Sequence, residues 1–177
     1  LIFVGRHTES KGIDMAVRIV EELNKQVGRQ FTLKVTGKKG EFEGSEKEFV
    51  EQTGFIDVKE LADEISKSIM GIHPARAGGF DVAPIEIMMS GTPCLVSTST
   101  GCKSLVSDIE EEYVLDRNVD LFVEKIKEYM GKDVSQKKEL SKQCREKSKT
   151  LKTDKQREEF RIQLEKILKK QEKGSRI

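Results

Sequence analysis

Tryptophan is absent from this 177-residue chain and aromatic residues make up only 6% of it. A surface built to stack nucleic-acid bases is therefore not expected. No strong excess of one charge is present either: 32 basic residues meet 31 acidic ones, for a formal net charge of +1. Such a balance speaks against nucleic acid or an anionic membrane as the main partner. The three cysteines, Cys94, Cys102 and Cys144, are an odd number without CxxC spacing. Neither a disulfide framework nor a zinc site follows from them, and free thiols in a reducing compartment are the expectation. No apolar run approaches the length of about 20 residues needed to cross a bilayer. Leu1–Val4 is too short for a signal peptide, and no cleavage site follows it. An apolar run at the first residue with no initiator methionine reads as a piece of a longer polypeptide.

What is there is an alternation of short apolar runs and amphipathic stretches. Leu1–Val4, ended by Gly5, has the pattern of a strand buried on both faces. Ile13, Val17, Val20, Leu23 and Val27 recur at helical spacing, predicting a helix over Gly12–Val27. Further strands are expected at Phe31–Val35, Thr53–Ile56, Ser68–Ile72, Cys94–Val96 and Tyr113–Leu115. Residues 38–47, rich in Gly, Lys and Glu, read as an exposed loop running into a short helix near Phe49. Val58, Leu61, Ala62 and Ile65 stripe a second helix, and Pro84 opens a third that stops at Gly91. Lys103–Val106 makes a helical turn, and Asp120 is the expected N-cap of a helix running to Met130. This order predicts an α/β fold: a Rossmann-like parallel sheet flanked by helices, with helices at the C-terminus.

From Val134 onward Lys, Glu, Gln and Arg dominate, and no glycine occurs until Gly174. Residues 1–133 are accordingly expected to form the layered domain and 134–177 a helical extension packing on it. Leu140 and Cys144 line one helix of that extension, and Phe160, Leu164, Ile167 and Leu168 mark a face of the last.

Two segments hold residues suited to polyanion chemistry at strand ends, where α/β sheets bind their ligands. In Gly5-Arg6-His7-Thr8-Glu9-Ser10-Lys11-Gly12, glycine permits a tight exit from the strand. Arg6 and Lys11 bracket the turn, one able to fork onto phosphate oxygens and the other adding a compact charge. On spacing alone, two solvated surface cations are the better explanation, since the chain has 32 basic residues. In Gly78-Gly79-Phe80-Asp81-Val82-Ala83-Pro84-Ile85-Glu86, a glycine loop runs into a helix whose first N–H groups suit an anion. Glu86 stands where a carboxylate accepts from vicinal hydroxyls or simply favours the helix dipole. His73 reads as a hydrogen-bonded wall residue and His7 as a surface turn residue.

The set Phe3-Val4-Gly5-Arg6, Lys11-Gly12, Gly79-Phe80, Pro84, Glu86, Met88 and Gly91-Thr92-Pro93 resembles the C-terminal domain of family 4 glycosyltransferases. These are retaining enzymes of the GT-B fold, with two Rossmann-like halves facing across a cleft. The resemblance runs from Leu1 to about Val106. It implies that Arg6 and Lys11 hold the donor diphosphate and stabilise the charge that develops on it. It further implies that Gly5 and the amides of Gly78, Gly79, Phe80, Asp81 and Val82 contact phosphate and sugar. Glu86 would bind ribose hydroxyls, and the main chain of Phe55 and Ile56 would lie against the base. The substrate implied is a nucleoside diphosphate sugar, with no metal and no cofactor. The partner implied is the protein's own N-terminal acceptor-binding half; no nucleic acid is expected. The location implied is cytoplasmic, with room for membrane association through the other half. The chain departs from the pattern at Gly78, where the family's first motif glutamate falls, at Asp81 in place of a glycine, at Thr100-Gly101, and at Ser104. A catalytically degenerate glycosyltransferase-like binding module is the alternative. A GT-B epimerase or phosphorylase ranks below both.

Overall fold

A computed structural model describes residues 1–149 of the chain. Six strands are described: β1 (Ile2–Val4), β2 (Leu33–Thr36), β3 (Val50–Gly54), β4 (Gly71–His73), β5 (Cys94–Ser97) and β6 (Val114–Leu115). They alternate with α1 (Ile13–Val27), α2 (Val58–Lys67), α3 (Ala83–Met89), α4 (Lys103–Ser107), α5 (Val119–Gly131) and, at the end, α6 (Val134–Lys149). Every ladder is parallel and the strand order is β3-β2-β1-β4-β5-β6.

The order follows from burial. β1, β4 and β5 are buried along their whole length and occupy the middle of the sheet, as strands covered on both faces must. β3, with Glu51 exposed and Val50, Gln52 and Thr53 half-buried, sits at an edge. The chain winds outward from β1 to β2 and β3, then returns to place β4 on the other side of β1. The strand order reverses there, and ligands of such sheets sit in the crevice beyond the carboxyl ends of the two strands at the reversal.

α1 buries Ile13, Val17, Val20 and Leu23 and lies against α5, which buries Phe122, Val123 and Ile126. α6 packs on α3 through buried Leu140 and Cys144, and the Arg145 guanidinium donates to the Ser90 carbonyl at 3.1 Å. The three thiols are free and buried. Burial pushes Cys102 and Cys144 up to about 12 and moves Cys94 well above its ordinary value.

Several local expectations need correction. The third strand is Val50–Gly54 rather than Thr53–Ile56, and no helix forms near Phe49. Instead the Phe49 carbonyl accepts from Leu33 N–H at 2.8 Å, starting the β2–β3 ladder. The cap of α5 is Asn118, whose side chain accepts from the amides of Asp120 and Leu121, so Asp120 lies inside the first turn. β2 and β4 each begin two or three residues later than expected, because Ser68 closes α2 and Met70 lies outside the ladder. The face expected at Phe160, Leu164, Ile167 and Leu168 lies outside the described residues.

Candidate functional site

The two loops at the strand reversal are drawn together by glycine. Gly12 has φ +80°, and a Cβ there would run into the Pro74 carbonyl. Only a residue without a side chain lets the loop after β1 approach the loop after β4 this closely. The contact is reinforced by Arg76 N–H donating to the Ser10 carbonyl at 2.9 Å. Lys11, at the end of a short 3₁₀ turn (Glu9–Lys11), is thereby carried to the β4–α3 loop.

There its ammonium donates to the Asp81 carboxylate. Asp81 is 8% exposed, and its other oxygen lies 3.3 Å from His73 Nε2. That contact is too poorly aligned to count as a hydrogen bond, so both atoms remain buried without a donor–acceptor partner. His73 therefore lines the wall as expected, but as a close neighbour of a carboxylate and not as a satisfied residue. Burial pushes the Asp81 carboxyl up, yet the Lys11 and His73 contacts outweigh it and hold the group below its ordinary range. Burial depresses His73 despite the facing carboxylate, which favours the neutral ring.

Gly78 makes this arrangement fit. A Cβ at residue 78 would collide with Asp81 Oδ2, so the Asp81 carboxylate fills the space a side chain there would take. The amides of Gly79, Phe80, Asp81 and Val82 donate no hydrogen bond among the described residues. The Phe80 and Val82 side chains are exposed. Glu86 sits in the first turn of α3, exposed, its amide donating to the Val82 carbonyl at 3.0 Å.

Beside this junction opens a cavity of about 610 Å³. Gly5, Arg6, His7, the Thr36–Glu41 loop, Phe55 and Ile56 line it. The size suits an organic ligand. Arg6 is exposed, and its guanidinium has no partner among the described residues. Phe55 is 83% exposed at the cavity rim. The structure thus gathers the expected residues into two adjoining groups: Gly5, Arg6, Phe55 and Ile56 around the cavity, and Lys11 with Gly78–Val82 at the start of α3. No direct contact joins Glu86 to either cation among the described residues.

His7 is not the surface turn residue expected. Both ring nitrogens are buried and unpaired, and the ring meets Phe42 edge-on with centroids 5.2 Å apart. Phe42 belongs to the loop read as exposed, and nothing in the sequence ties it to His7. Lys38 and Lys39 of that loop also line the cavity, a role their position after Thr36-Gly37 at a strand end would have suggested.

The family model for glycosyl transferases group 1 matches residues 1–132. The chain belongs to that family, and its Rossmann-like sheet matches one half of GT-B glycosyltransferases. The family takes nucleotide-sugar donors and generally works without a metal ion. A relative in Klebsiella pneumoniae, an uncharacterized 41.2 kDa protein in the cps region, is 26% identical over 110 residues, covering 61% of this chain and 30% of that protein. The glycosyltransferase WaaG, involved in lipopolysaccharide biosynthesis, superposes with a TM-score of 0.71 at 14% identity, over 84% of this chain and 42% of WaaG. Sucrose-phosphate synthase from Thermosynechococcus elongatus gives 0.70 at 23% identity, over 98% of this chain and 46% of the synthase. The pneumococcal O-GlcNAc transferase GtfA, in complex with UDP and GlcNAc, gives 0.65 at 20% identity, over 94% of this chain and 35% of GtfA. The chain therefore spans less than half the length of these relatives, and the structural likenesses concern the fold.

Proposed function

We propose that the chain is the donor-binding half of a retaining glycosyltransferase, moving a sugar from a nucleoside diphosphate sugar to an acceptor held by an N-terminal half. The observation that carries this is the meeting of Lys11 with the Gly78–Val82 loop at the strand reversal, next to a cavity bearing Arg6. The base and ribose enter the cavity along the main chain of Phe55 and Ile56, and the ribose hydroxyls reach Glu86. The diphosphate lies over the free amides of Gly79–Val82, between Arg6 and Lys11.

The chemistry asked of this half is electrostatic. As the bond between sugar and diphosphate breaks, negative charge accumulates on the leaving oxygen, and a pre-placed ammonium and guanidinium lower the barrier without reorganising. Removing one such donor elsewhere costs about 2.7–4 kcal/mol of barrier. Asp81 contributes its amide, while its carboxylate serves as the counter-ion that Lys11 exchanges for phosphate. Arg6 and Lys11 supply the positive charge that a divalent metal supplies in other phosphate sites. Location at the cytoplasmic membrane surface, reached through the other half, fits an acceptor of lipid-linked type. Among the described residues no helix is long and apolar enough to cross a membrane.

One observation favours a second reading, a degenerate binding module. Residue 78 offers no carboxylate to the sugar, and that of Asp81 turns inward to Lys11 and His73. Calorimetry with UDP, GDP and ADP on wild type, Arg6→Ala and Glu86→Ala tests the site. Weak binding of one nucleotide, lost in both variants, is expected; absence of binding, or equal binding by the variants, refutes it. Turnover by the protein carrying both halves, assayed over a panel of donor sugars, excludes the binding-module reading.

A further inference from the structure

A second concentration of positive charge lies on the other side of the Glu9–Lys11 turn. Arg76, in the loop after β4, donates Nε to the Glu9 carbonyl at 3.2 Å and pairs with the Asp14 carboxylate on α1. Arg117, after β6, donates Nε to the Pro74 carbonyl at 2.9 Å. Arg18 stands one helical turn beyond Asp14. The three guanidiniums line a polar cavity of about 350 Å³ together with Asp14, Asn118 and Asp120. No residue lines both this cavity and the one beside Arg6.

The charges within it do not balance. Three guanidiniums face two carboxylates, and the Asp14 carboxylate is already engaged by Arg76. Neither Arg18 nor Arg117 has an ion-pair partner among the described residues. Arg117 feels the crowding: burial first, then repulsion from Arg76 with a smaller share from Arg18, moves it below its ordinary range, against a pull from Asp14. Like charges gathered in one concavity raise the local concentration of an anion. Three forked donors match the oxygens of a phosphate better than those of a carboxylate. Asp14 adds a further requirement. It is 6% exposed, yet its Oδ1 is buried and has no hydrogen-bond donor. A ligand that satisfies the whole cavity must bring a hydroxyl or P–OH donor as well as negative oxygens.

We propose that this cavity is a second anion site, distinct from the donor diphosphate site. It takes a phosphate group bearing a proton or an adjacent hydroxyl, either free phosphate or a hydroxylated phosphate monoester. Arg18, Arg76 and Arg117 grip the oxygens, and Asp14 Oδ1 accepts the hydroxyl. Sulfate, which matches the charge but has no proton to give near neutral pH, binds more weakly.

The test is a titration of the isotopically labelled chain followed by amide and arginine Nε–H shifts. Inorganic phosphate, glycerol 3-phosphate and sulfate are added to wild type, Lys11→Met, Arg18→Gln and Arg117→Gln. Saturable shifts at residues 14–18, 76 and 117–121 are expected with phosphate. They persist in Lys11→Met and weaken about tenfold in each arginine variant, as expected for loss of a charge-assisted hydrogen bond. Tighter binding of glycerol 3-phosphate than of phosphate assigns the site to an ester, and equal binding to free phosphate. Arg117→Gln loses its bond to Pro74, so a collapsed spectrum leaves the decision to Arg18→Gln, whose side chain is exposed and makes no hydrogen bond among the described residues. The proposal is overturned by unsaturable shifts, by shifts indifferent to Arg18→Gln, by loss of binding in Lys11→Met, or by sulfate binding as tightly as phosphate.

Discussion

Asp81→Asn is the substitution that separates a counter-ion from a ligand. Asparagine keeps the shape that fills the space over Gly78 and removes one negative charge from beside Lys11. With Lys11 and Asp81 side chains 18% and 9% exposed, losing their pairing costs about 1–2 kcal/mol of stability, since the lysine can still reach water. For a diphosphate the sign reverses. A phosphate oxygen on the far side of the Lys11 ammonium lies about 5 Å from the carboxylate, where repulsion amounts to about 0.8 kcal/mol in bulk dielectric and about 3.3 kcal/mol at an effective value of 20. The crevice is open to solvent, so the lower part of that span applies, less about 1 kcal/mol for ordering a freed lysine. At about 1.4 kcal/mol per decade the net change runs from none to about fivefold tighter nucleotide binding. Calorimetry at low and moderate salt reads it, with circular dichroism confirming the fold. In a cycle with Lys11→Met the gain should shrink, because without the lysine Asp81 no longer competes for it. Weaker binding by folded Asp81→Asn would refute the counter-ion argument and make Asp81 a group that positions Lys11.

Gly12→Ala should lower stability by about 2 kcal/mol or more, because a left-handed alanine costs about 1–2 kcal/mol before its collision with Pro74 is counted; urea unfolding measures it. Acid should destabilise the fold through His73. Its folded pKa is depressed below 6.5, so its share of stability is whole above that pH and is lost as pH falls from there towards the folded value. Urea midpoints at pH 7.5 and 5.5 should differ less for His73→Gln than for wild type, and an unchanged difference would contradict the assignment. Asp57, which caps α2 by accepting from Glu60 N–H at 2.8 Å, should cost about 1 kcal/mol when replaced by alanine. Cys94, Cys102 and Cys144 should resist a thiol reagent in the folded chain and react together in urea, since burial holds each thiol protonated.

The layers of this fold are written in its periodicities, and its edges are not. Leu1–Val4 and Cys94–Val96 announce themselves because central strands are apolar throughout. β3 does not: Glu51 and Gln52 carry no strand pattern, the expected strand starts only at Thr53, and pairing with β2 is what makes Val50–Gly54 a strand. The α5 cap lies two residues before Asp120 because Asn118 and Asp120 are both good caps, and backbone geometry decides between them. Arg6, Lys11 and the glycine loop stand out in sequence as residues fit for an anion. Their grouping does not, since it depends on strand order and on Gly12 approaching Pro74. The inward turn of Asp81, the burial of His7 by Phe42, and the meeting of Arg18, Arg76 and Arg117 across three elements are all long-range. No local pattern encodes them.

The most direct measurement is a crystal structure of the chain soaked with the nucleoside diphosphate that calorimetry selects. Phosphates lying between Lys11 and the amides of Gly79–Val82, with the base in the cavity beside Phe55 and Ile56 and Asp81 parted from Lys11, are expected. Nucleotide bound elsewhere on the surface, with the Lys11–Asp81 pair intact, would contradict this placement.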